Sequence, residues 1–232
     1  MVKTALLSSA YFGPIQWYQK LNRYDQCLIE SCDHYIKQTY RNRCLIMTTN
    51  GVQALTVPVE KPSPVYTAQS PYPKFPMREM RISDHGNWRH LHWNALMSAY
   101  GESPFFDYYA DDLRPFFERR WTFLFDFNMA ITETVCELLD IRPRLKVTEQ
   151  YVQTADAAGG RSQQQTETSA ADAADQLIDD FRDIISPKHP GFDERFELRP
   201  YYQVYALKHG FQPNLSILDL LFNEGNEAIL YL

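Results

Sequence analysis

The chain has 232 residues, a formal net charge of −6 from 23 Lys and Arg against 29 Asp and Glu, and 44% hydrophobic residues. A chain of this length buries roughly 70% of its unfolded surface, so it needs neither a disulfide nor a metal for stability. The 14% of aromatic residues excludes a disordered class. The acidic balance argues against general nucleic-acid binding, and we expect a globular protein.

The start of the chain and its cysteines indicate the compartment. No apolar run reaches the roughly 18 residues of a membrane helix. The apolar run at 4–10 is short and passes into a Gly-Pro turn without a cleavage site, so it predicts a strand in a cytoplasmic protein. The four cysteines form no CxxC pair and no framework spacing. This is typical of free structural thiols in a reducing compartment.

The first part of the chain predicts strands, one helix and a hairpin. In chain order these are a buried strand at 4–9, a helix at 15–23, a strand at 27–31 and a hairpin of 43–49 with 52–59. The hairpin signal is Asn50-Gly51, a dipeptide that favours a type I′ turn. Five prolines between residues 62 and 76 predict an extended loop.

The rest of the chain predicts helices and then short strands. The predicted helices begin at Trp88, at 113, at 123 and at 177, and the last covers 216–222 with Ser216 as its cap. Further strands are predicted at 145–152 and 201–205. Strands that alternate with helices favour an α/β fold, with a mostly parallel, Rossmann-like sheet, flanking helices and the hairpin on its edge.

A run of basic residues is the first candidate site. In an extended chain alternate residues share a face, so Lys37, Arg41 and Arg43 are predicted to point one way. Guanidinium groups suit phosphate or carboxylate, so the row predicts anion binding. The alternative is a solvated sheet edge that stays basic to prevent aggregation.

The loop Tyr11-Phe12-Gly13-Pro14 is the second candidate. It follows the first predicted strand, and open α/β sheets bind ligands beyond the carboxyl ends of their strands. The alternative is a plain turn between a strand and a helix.

His92 is the candidate general base. It shares an apolar helix face with Trp88 and Ala95, and a histidine titrates near neutral pH. The alternative is a histidine that is hydrogen bonded in the core. His90 is displaced from it by about 200° on a helix, and no HxxxH motif or paired carboxylate accompanies the two, so no metal site is predicted.

Together these segments resemble the bacterial WbqC-like family over nearly the whole chain. The similar pieces are Tyr11-Phe12-Gly13-Pro14 with Trp17-Tyr18, Lys37-Gln38-Thr39-Tyr40-Arg41-Asn42-Arg43, Leu55-Thr56-Val57-Pro58-Val59, Trp88 with His92, Tyr100 with Ser103-Pro104-Phe105-Phe106, and Pro213 to Asn223. The family takes its name from surface-polysaccharide (O-antigen) gene clusters.

The resemblance implies a transferase that moves an acyl or aminoacyl group to an amino sugar or a sugar nucleotide. Its partner would be a phosphate-bearing small molecule or a sugar nucleotide, and its cofactor and oligomeric state stay open. The expected base is His92, and the expected binding residues are Tyr11, Pro14, Lys37, Tyr40, Arg41, Asn42, Arg43 and Trp88. The alternative is a non-catalytic protein that binds a sugar nucleotide or a partner enzyme.

Residues 153–176 differ from the rest of the chain, because Gln, Thr, Ser and Ala dominate and aromatic residues are absent. A segment that cannot bury apolar surface stays mobile, so the sequence predicts one domain over 1–232 with a flexible insertion at about 153–176. We expect limited proteolysis to cut first inside this insertion and to leave both flanks folded. A first cut elsewhere, with the insertion intact, would contradict this prediction.

Overall fold

A computed structural model of the chain describes residues 2–60, 65–67, 70–154, 162–163 and 177–232. In chain order the strands are β1 (Lys3–Ser8), β2 (Gln26–Glu30), β3 (Arg43–Thr48), β4 (Gly51–Thr56), β5 (Val59–Glu60), β6 (Val65–Thr67), β7 (Ser70–Lys74), β8 (Arg81–Ile82), β9 (Leu145–Val147), β10 (Ser162–Gln163) and β11 (Leu177–Asp180). The helices are α1 (Ile15–Arg23), α2 (Trp88–Tyr100), α3 (Phe106–Leu113), α4 (Pro115–Glu118), α5 (Leu124–Leu138), α6 (Ala206–His209) and α7 (Ile217–Glu224), with 3₁₀ turns at Met77–Glu79, His85–Asn87 and Gly225–Tyr231.

The main sheet has the strand order β10-β11-β1-β2-β9. Strands β11, β1, β2 and β9 are parallel, and β10 runs antiparallel to β11. The chain passes outward from β1 to β2 and β9, and then returns to place β11 on the other side of β1. The strand order therefore reverses between β1 and β11, the place where open α/β sheets form a ligand crevice. The predicted α/β fold with a mostly parallel sheet is confirmed.

The centre of the sheet is covered on both faces. In β1 the consecutive residues Ala5, Leu6 and Leu7 have no exposed surface. A continuous apolar run of this kind is typical of a parallel strand between two layers of helices.

The helices with strong local patterns are where the sequence predicts them. The predicted helices at 15–23, from Trp88 and from 123 are confirmed by α1, α2 and α5. The predicted cap Ser216 is also confirmed, since its Oγ accepts the N–H of Leu218 at 3.3 Å and donates to the carbonyl of Phe12 at 2.8 Å. No described helix is both long and apolar enough to cross a membrane.

Two predictions in the last third are wrong. Residues 177–180 form β11 rather than a helix, because they pair with β1, more than 170 positions away in the chain. Residues 201–205 form no strand. Tyr201 and Gln203 are buried, and both side chains donate hydrogen bonds to Asp219 of α7, at 2.6 and 3.1 Å. Both errors come from distant partners that override local preference.

The predicted hairpin forms as β3 and β4, but its turn and its position differ from expectation. Thr48 pairs with Gly51, so Thr49 and Asn50 are at the centre of the turn. Gly51 has a positive φ of 102° and Asn50 does not have a positive φ, which excludes type I′. The hairpin is a separate two-stranded sheet, not hydrogen bonded to the edge of the main sheet.

Two other expectations concern the loops. Part of the predicted extended loop at 61–76 forms the antiparallel pair β6 and β7. The predicted strand at 145–152 is shorter and ends at Val147. The predicted flexible insertion lies outside the described residues apart from 153, 154 and β10, and it stays a prediction.

Candidate functional site

A pocket lies at the carboxyl ends of β1 and β11, where the strand order reverses. Its walls come from the residues after β1, from the loop before β3 and from the residues after β11, together with one side chain of α1: Ser8, Ser9, Ala10, Trp17, Thr39, Tyr40, Arg41, Phe181, Arg182 and Ile185. We call it the switch-point pocket. Its enclosed volume is about 10 Å³, roughly the room that one water molecule needs, and the rest of its space is open to solvent. A larger ligand can therefore place only one small group against these residues.

Arg182 is the charged residue on the β11 side of the pocket. Its Nη1 lies 3.1 Å from Glu30 Oε2, and its Nη2 lies 2.6 Å from Asp180 Oδ2. The Arg182 side chain is 7% exposed and that of Glu30 is fully buried. Burial alone lowers the pKa of Arg182, but its bonds to Asp180 outweigh this and raise it. Because Glu30 ends β2 and Asp180 ends β11, the guanidinium joins two strands across β1.

Glu30 also fixes the segment that follows β9. Its Oε1 accepts the hydroxyl of Thr148 at 2.6 Å and the N–H of Cys32 at 2.9 Å. Its Oε2 accepts the N–H of Val152 at 2.9 Å as well as the guanidinium of Arg182. A buried carboxylate with four donors is fully satisfied, so Glu30 is a support of the site rather than a free ligand group.

Arg41 is the charged residue on the opposite wall, and Asp33 neutralises it. The Nε and Nη2 atoms of Arg41 lie 3.1 and 2.5 Å from Asp33 Oδ2, which also accepts the Ser8 hydroxyl at 3.2 Å. Both side chains of the pair are less than 10% exposed. Burial raises the pKa of Asp33 although Arg41 acts to lower it. The basic residue is thus held by a carboxylate of the protein itself.

The predicted common face of Lys37, Arg41 and Arg43 is wrong. Residues 37–42 form turns with Gln38 at a φ of 63°, and β3 begins only at Arg43, so the alternation of a strand does not apply. Lys37 is exposed, and Arg43 Nε bonds to the hydroxyl of Thr56 at 3.0 Å. Of these three cations only Arg41 lines the switch-point pocket.

The remaining residues of the basic run have different environments. Tyr40 lines the pocket, and its carbonyl accepts the N–H of Tyr11 at 2.9 Å. Asn42 is buried, and its Nδ2 donates to the carbonyl of Val57 at 2.8 Å. These bonds fix the loop that carries Arg41.

The loop from Tyr11 to Pro14 does not line the pocket. Tyr11 and Phe12 are fully buried, and Pro14 is also buried at the start of α1. The residues just before this loop, Ser8, Ser9 and Ala10, line the pocket instead.

His92 lies in the aromatic core, not in the pocket. The Tyr11 hydroxyl is 2.9 Å from its Nδ1, and the ring also hydrogen-bonds to the backbone of Thr56. Trp88 packs against it with ring centroids 5.1 Å apart. Burial lowers the pKa of His92 to about 4, so the ring is neutral at physiological pH. This geometry favours a structural role for His92 in the core over a role as general base. Trp88 is itself held by a bond from its Nε1 to the carbonyl of Ser83 at 2.9 Å.

Sequence reasoning missed Asp33, Glu30 and Arg182. A signal for the first two exists, since Glu30 is near the end of the predicted strand at 27–31 and Asp33 follows it, at the edge where parallel sheets bind ligands. Arg182 had no such signal, because the local sequence pattern of β11 predicts a helix. In the described ranges no group of three or more His, Cys, Asp or Glu is arranged to hold a metal ion.

The burial of His92 predicts a dependence of stability on pH. Its pKa is about 4 in the folded protein and about 6.5 in the unfolded chain. Between these values the unfolded state binds an extra proton, so the free energy of unfolding falls by roughly 3 kcal/mol from about pH 7 to about pH 4. Urea unfolding at a series of pH values should show this fall in the wild type and a shallower one in His92→Gln.

The matched control for this experiment is His90→Gln, because His90 is exposed on the same helix. That variant should keep the wild-type dependence on pH. Equal slopes for His92→Gln and the wild type would contradict the buried neutral histidine.

Comparison with known proteins identifies the family. A model of the WbqC-like protein family matches residues 9–231. The chain is 30% identical over 241 aligned positions, covering all of this chain and 98% of the relative, to a protein of Mycobacterium tuberculosis (strain ATCC 25618 / H37Rv) named "Uncharacterized protein Rv1507c". No solved structure matches the chain. With nearly its whole length covered by the family model, the chain belongs to the WbqC-like protein family.

Proposed function

We propose that this protein binds the phosphate-bearing part of a small ligand in the switch-point pocket. On that ligand it acts as a transferase, moving an acyl or aminoacyl group to an amino sugar or a sugar nucleotide in the assembly of bacterial surface polysaccharide. The observation that carries the proposal is the pocket itself, at the reversal of a parallel sheet and with an arginine on each side.

The unused N–H donors of the Arg41 guanidinium support a phosphate ligand. A guanidinium has five N–H donors, and the bonds of Arg41 to Asp33 use only Nε and Nη2. Within the part of the chain that the structure describes, Nη1 has no hydrogen-bond partner, so it is available to an anion. One charge-assisted bond of this kind contributes about 1.5–3 kcal/mol.

The hydroxyls after β1 provide further contacts. Ser8 and Ser9 both line the pocket, and among the described residues the one bond to Ser9 Oγ is a long one of 3.2 Å from Asn128. Hydroxyl groups donate and accept, so they can bind phosphate or sugar oxygens equally. The size of the pocket limits it to one such group, with the rest of the ligand outside.

A non-catalytic binding protein for a sugar nucleotide or a partner enzyme is the second candidate. The specific observation in its favour is the position of His92, which is buried in the core with its ring bound to Tyr11. The residue expected as the base therefore does not line the pocket. Turnover of an activated acyl or aminoacyl donor in the presence of an amino sugar distinguishes the two candidates.

Blocking the pocket tests the proposed binding. Thr39 is half-buried on the pocket wall, so Thr39→Phe places a phenyl ring in the space a ligand would use. We expect the affinity for a phosphate-bearing ligand to fall at least about tenfold, since a contact worth about 1.4 kcal/mol is a factor of ten. The measurement is titration calorimetry with nucleoside diphosphates, sugar nucleotides and sugar phosphates.

The control is Ile36→Phe in the same loop, because Ile36 is 48% exposed and does not line the pocket. It adds a phenyl ring of the same size and should leave the affinity unchanged. Melting curves of both variants check that the loop is intact. The proposal is contradicted if the wild type binds none of these compounds. It is also contradicted if Thr39→Phe binds them with the affinity of the wild type.

A further inference from the structure

A stripe of polar side chains on α1 lies under an irregular segment of the chain. Gln16, Gln19, Lys20 and Arg23 recur at the spacing of one helix face. The first three are at most 4% exposed, which is unusual for polar side chains on a helix. The segment that covers them is 187–200, which forms neither a helix nor a strand, and we call it the strap.

The strap is bound to this stripe by polar contacts. Gln16 Nε2 donates to Asp193 Oδ2 at 2.8 Å. Gln19 Nε2 donates to the carbonyl of Glu197 at 2.7 Å, and its Oε1 accepts the N–H of the same residue at 3.2 Å. Arg23 Nη1 lies 3.1 Å from Glu197 Oε1. Water can replace these partners when the strap detaches, so each bond contributes only modestly to keeping it in place.

The strap also buries little apolar surface. Phe192 is 83% exposed, Leu198 is 53% exposed, and Phe196 is only half-buried. Segments with few buried apolar contacts open locally at a smaller free energy than the rest of a protein. Detaching the strap is therefore expected to require less free energy than global unfolding.

The ion pair of Lys20 with Asp193 is the strongest of the contacts that hold the strap. Lys20 Nζ lies 2.6 Å from Asp193 Oδ2, and the two side chains are 1% and 4% exposed. Burial lowers the pKa of Lys20, although Asp193 acts to raise it. A buried charge needs its partner, whereas ion pairs at the surface contribute little. The position of the strap therefore depends on this pair more than on its other polar contacts.

Lys20 also contacts the wall of the switch-point pocket. Its Nζ lies 4.6 Å from the centroid of the Phe181 ring, and Phe181 lines the pocket together with Ile185. The strap begins two residues after Ile185, and its Gly191 N–H donates to the carbonyl of Ile184 at 2.9 Å. The strap, the buried lysine and the pocket wall are thus in direct contact.

We propose that the strap detaches from α1 while the main sheet stays folded, that the ion pair of Lys20 with Asp193 sets how often it does so, and that the pocket wall at Phe181 and Ile185 moves with it. The strap is then a movable side of a pocket that encloses about 10 Å³ when it is closed. This inference goes beyond the proposed function and involves no ligand, so its failure leaves the proposed phosphate binding untouched.

Amide hydrogen exchange, followed by NMR at low concentrations of urea, tests the opening. The Glu197 amide reports on the strap, and the Ile185 amide, which donates to the Phe181 carbonyl at 3.1 Å, reports on the pocket wall. The amides that bond β1 to β2 report on the sheet. In the wild type we expect the Glu197 and Ile185 amides to exchange through one opening that depends weakly on urea. Its equilibrium constant should be at least about tenfold larger than that for the sheet amides.

Lys20→Met tests the role of the ion pair. The variant keeps a long apolar side chain against Phe181 and leaves an unpaired charge only on the strap, so the opening constant at Glu197 should rise at least about thirtyfold. The matched control is Arg23→Met, on the same helix and against the same strap, because its pair with Glu197 is at the surface with side chains 26% and 54% exposed. That change should raise the constant by less than about fivefold.

Three results would overturn the inference. In the first, the Glu197 amide of the wild type exchanges only together with the sheet amides, in global unfolding. In the second, Lys20→Met raises the opening constant no more than Arg23→Met does. In the third, the Ile185 amide exchanges with the sheet while the strap opens alone. The wild-type measurement needs no substitution, so the first and third results can still be observed if Lys20→Met fails to fold.

Discussion

The buried contact between Arg182 and Glu30 is the interaction on which the arrangement of the main sheet depends. The two residues are 152 positions apart in the chain, at the ends of the last and the second strand, and their charged atoms meet at 3.1 Å. Both are almost fully removed from water. Removing one partner from such a pair costs about 3–5 kcal/mol, because the other charge stays buried. The contact therefore locks β11 beside β1 once the rest of the sheet has formed.

The same contact explains why the pocket has its position and its polarity. The reversal of strand order opens a crevice beside β1, and the charges that hold β11 in place form one of its walls. Glu30 also binds the backbone of Val152, so the segment after β9 is fixed by the same carboxylate. Fold and site thus share their charged residues. A substitution of one of these charges changes both the stability of the fold and the binding of a ligand. A substitution at Thr39 is expected to change binding alone.

Local pattern accounts for what could be predicted from the sequence. The apolar spacing in α1, α2 and α5 and the cap at Ser216 are properties of neighbouring residues, and the structure agrees with them. The first two strands were also recognisable as short apolar runs. The basic run also draws attention to Tyr40 and Arg41, which line the pocket. The pattern places His92 on an apolar helix face and leaves its role open.

Long-range pairing accounts for what could not be predicted. The residues 177–180 become a strand only because β1 offers them hydrogen bonds, and Tyr201 is buried because Asp219 accepts its hydroxyl. Arg182 could not be assigned to the site before β11 was placed. The bonds of Asp33 to Ser8 and Arg41 depend on the fold, since no spacing in the sequence specifies them.

The central claim is that Arg182 and Glu30 stabilise the sheet as a pair, and a double-mutant cycle tests it most directly. The variants are Glu30→Gln, Arg182→Met and the double substitution, with the free energy of unfolding measured in urea at neutral pH. The structure predicts that each single change is strongly destabilising and that the double change costs less than their sum, with a coupling above about 1 kcal/mol. Effects that add to within about 0.5 kcal/mol would contradict the claim.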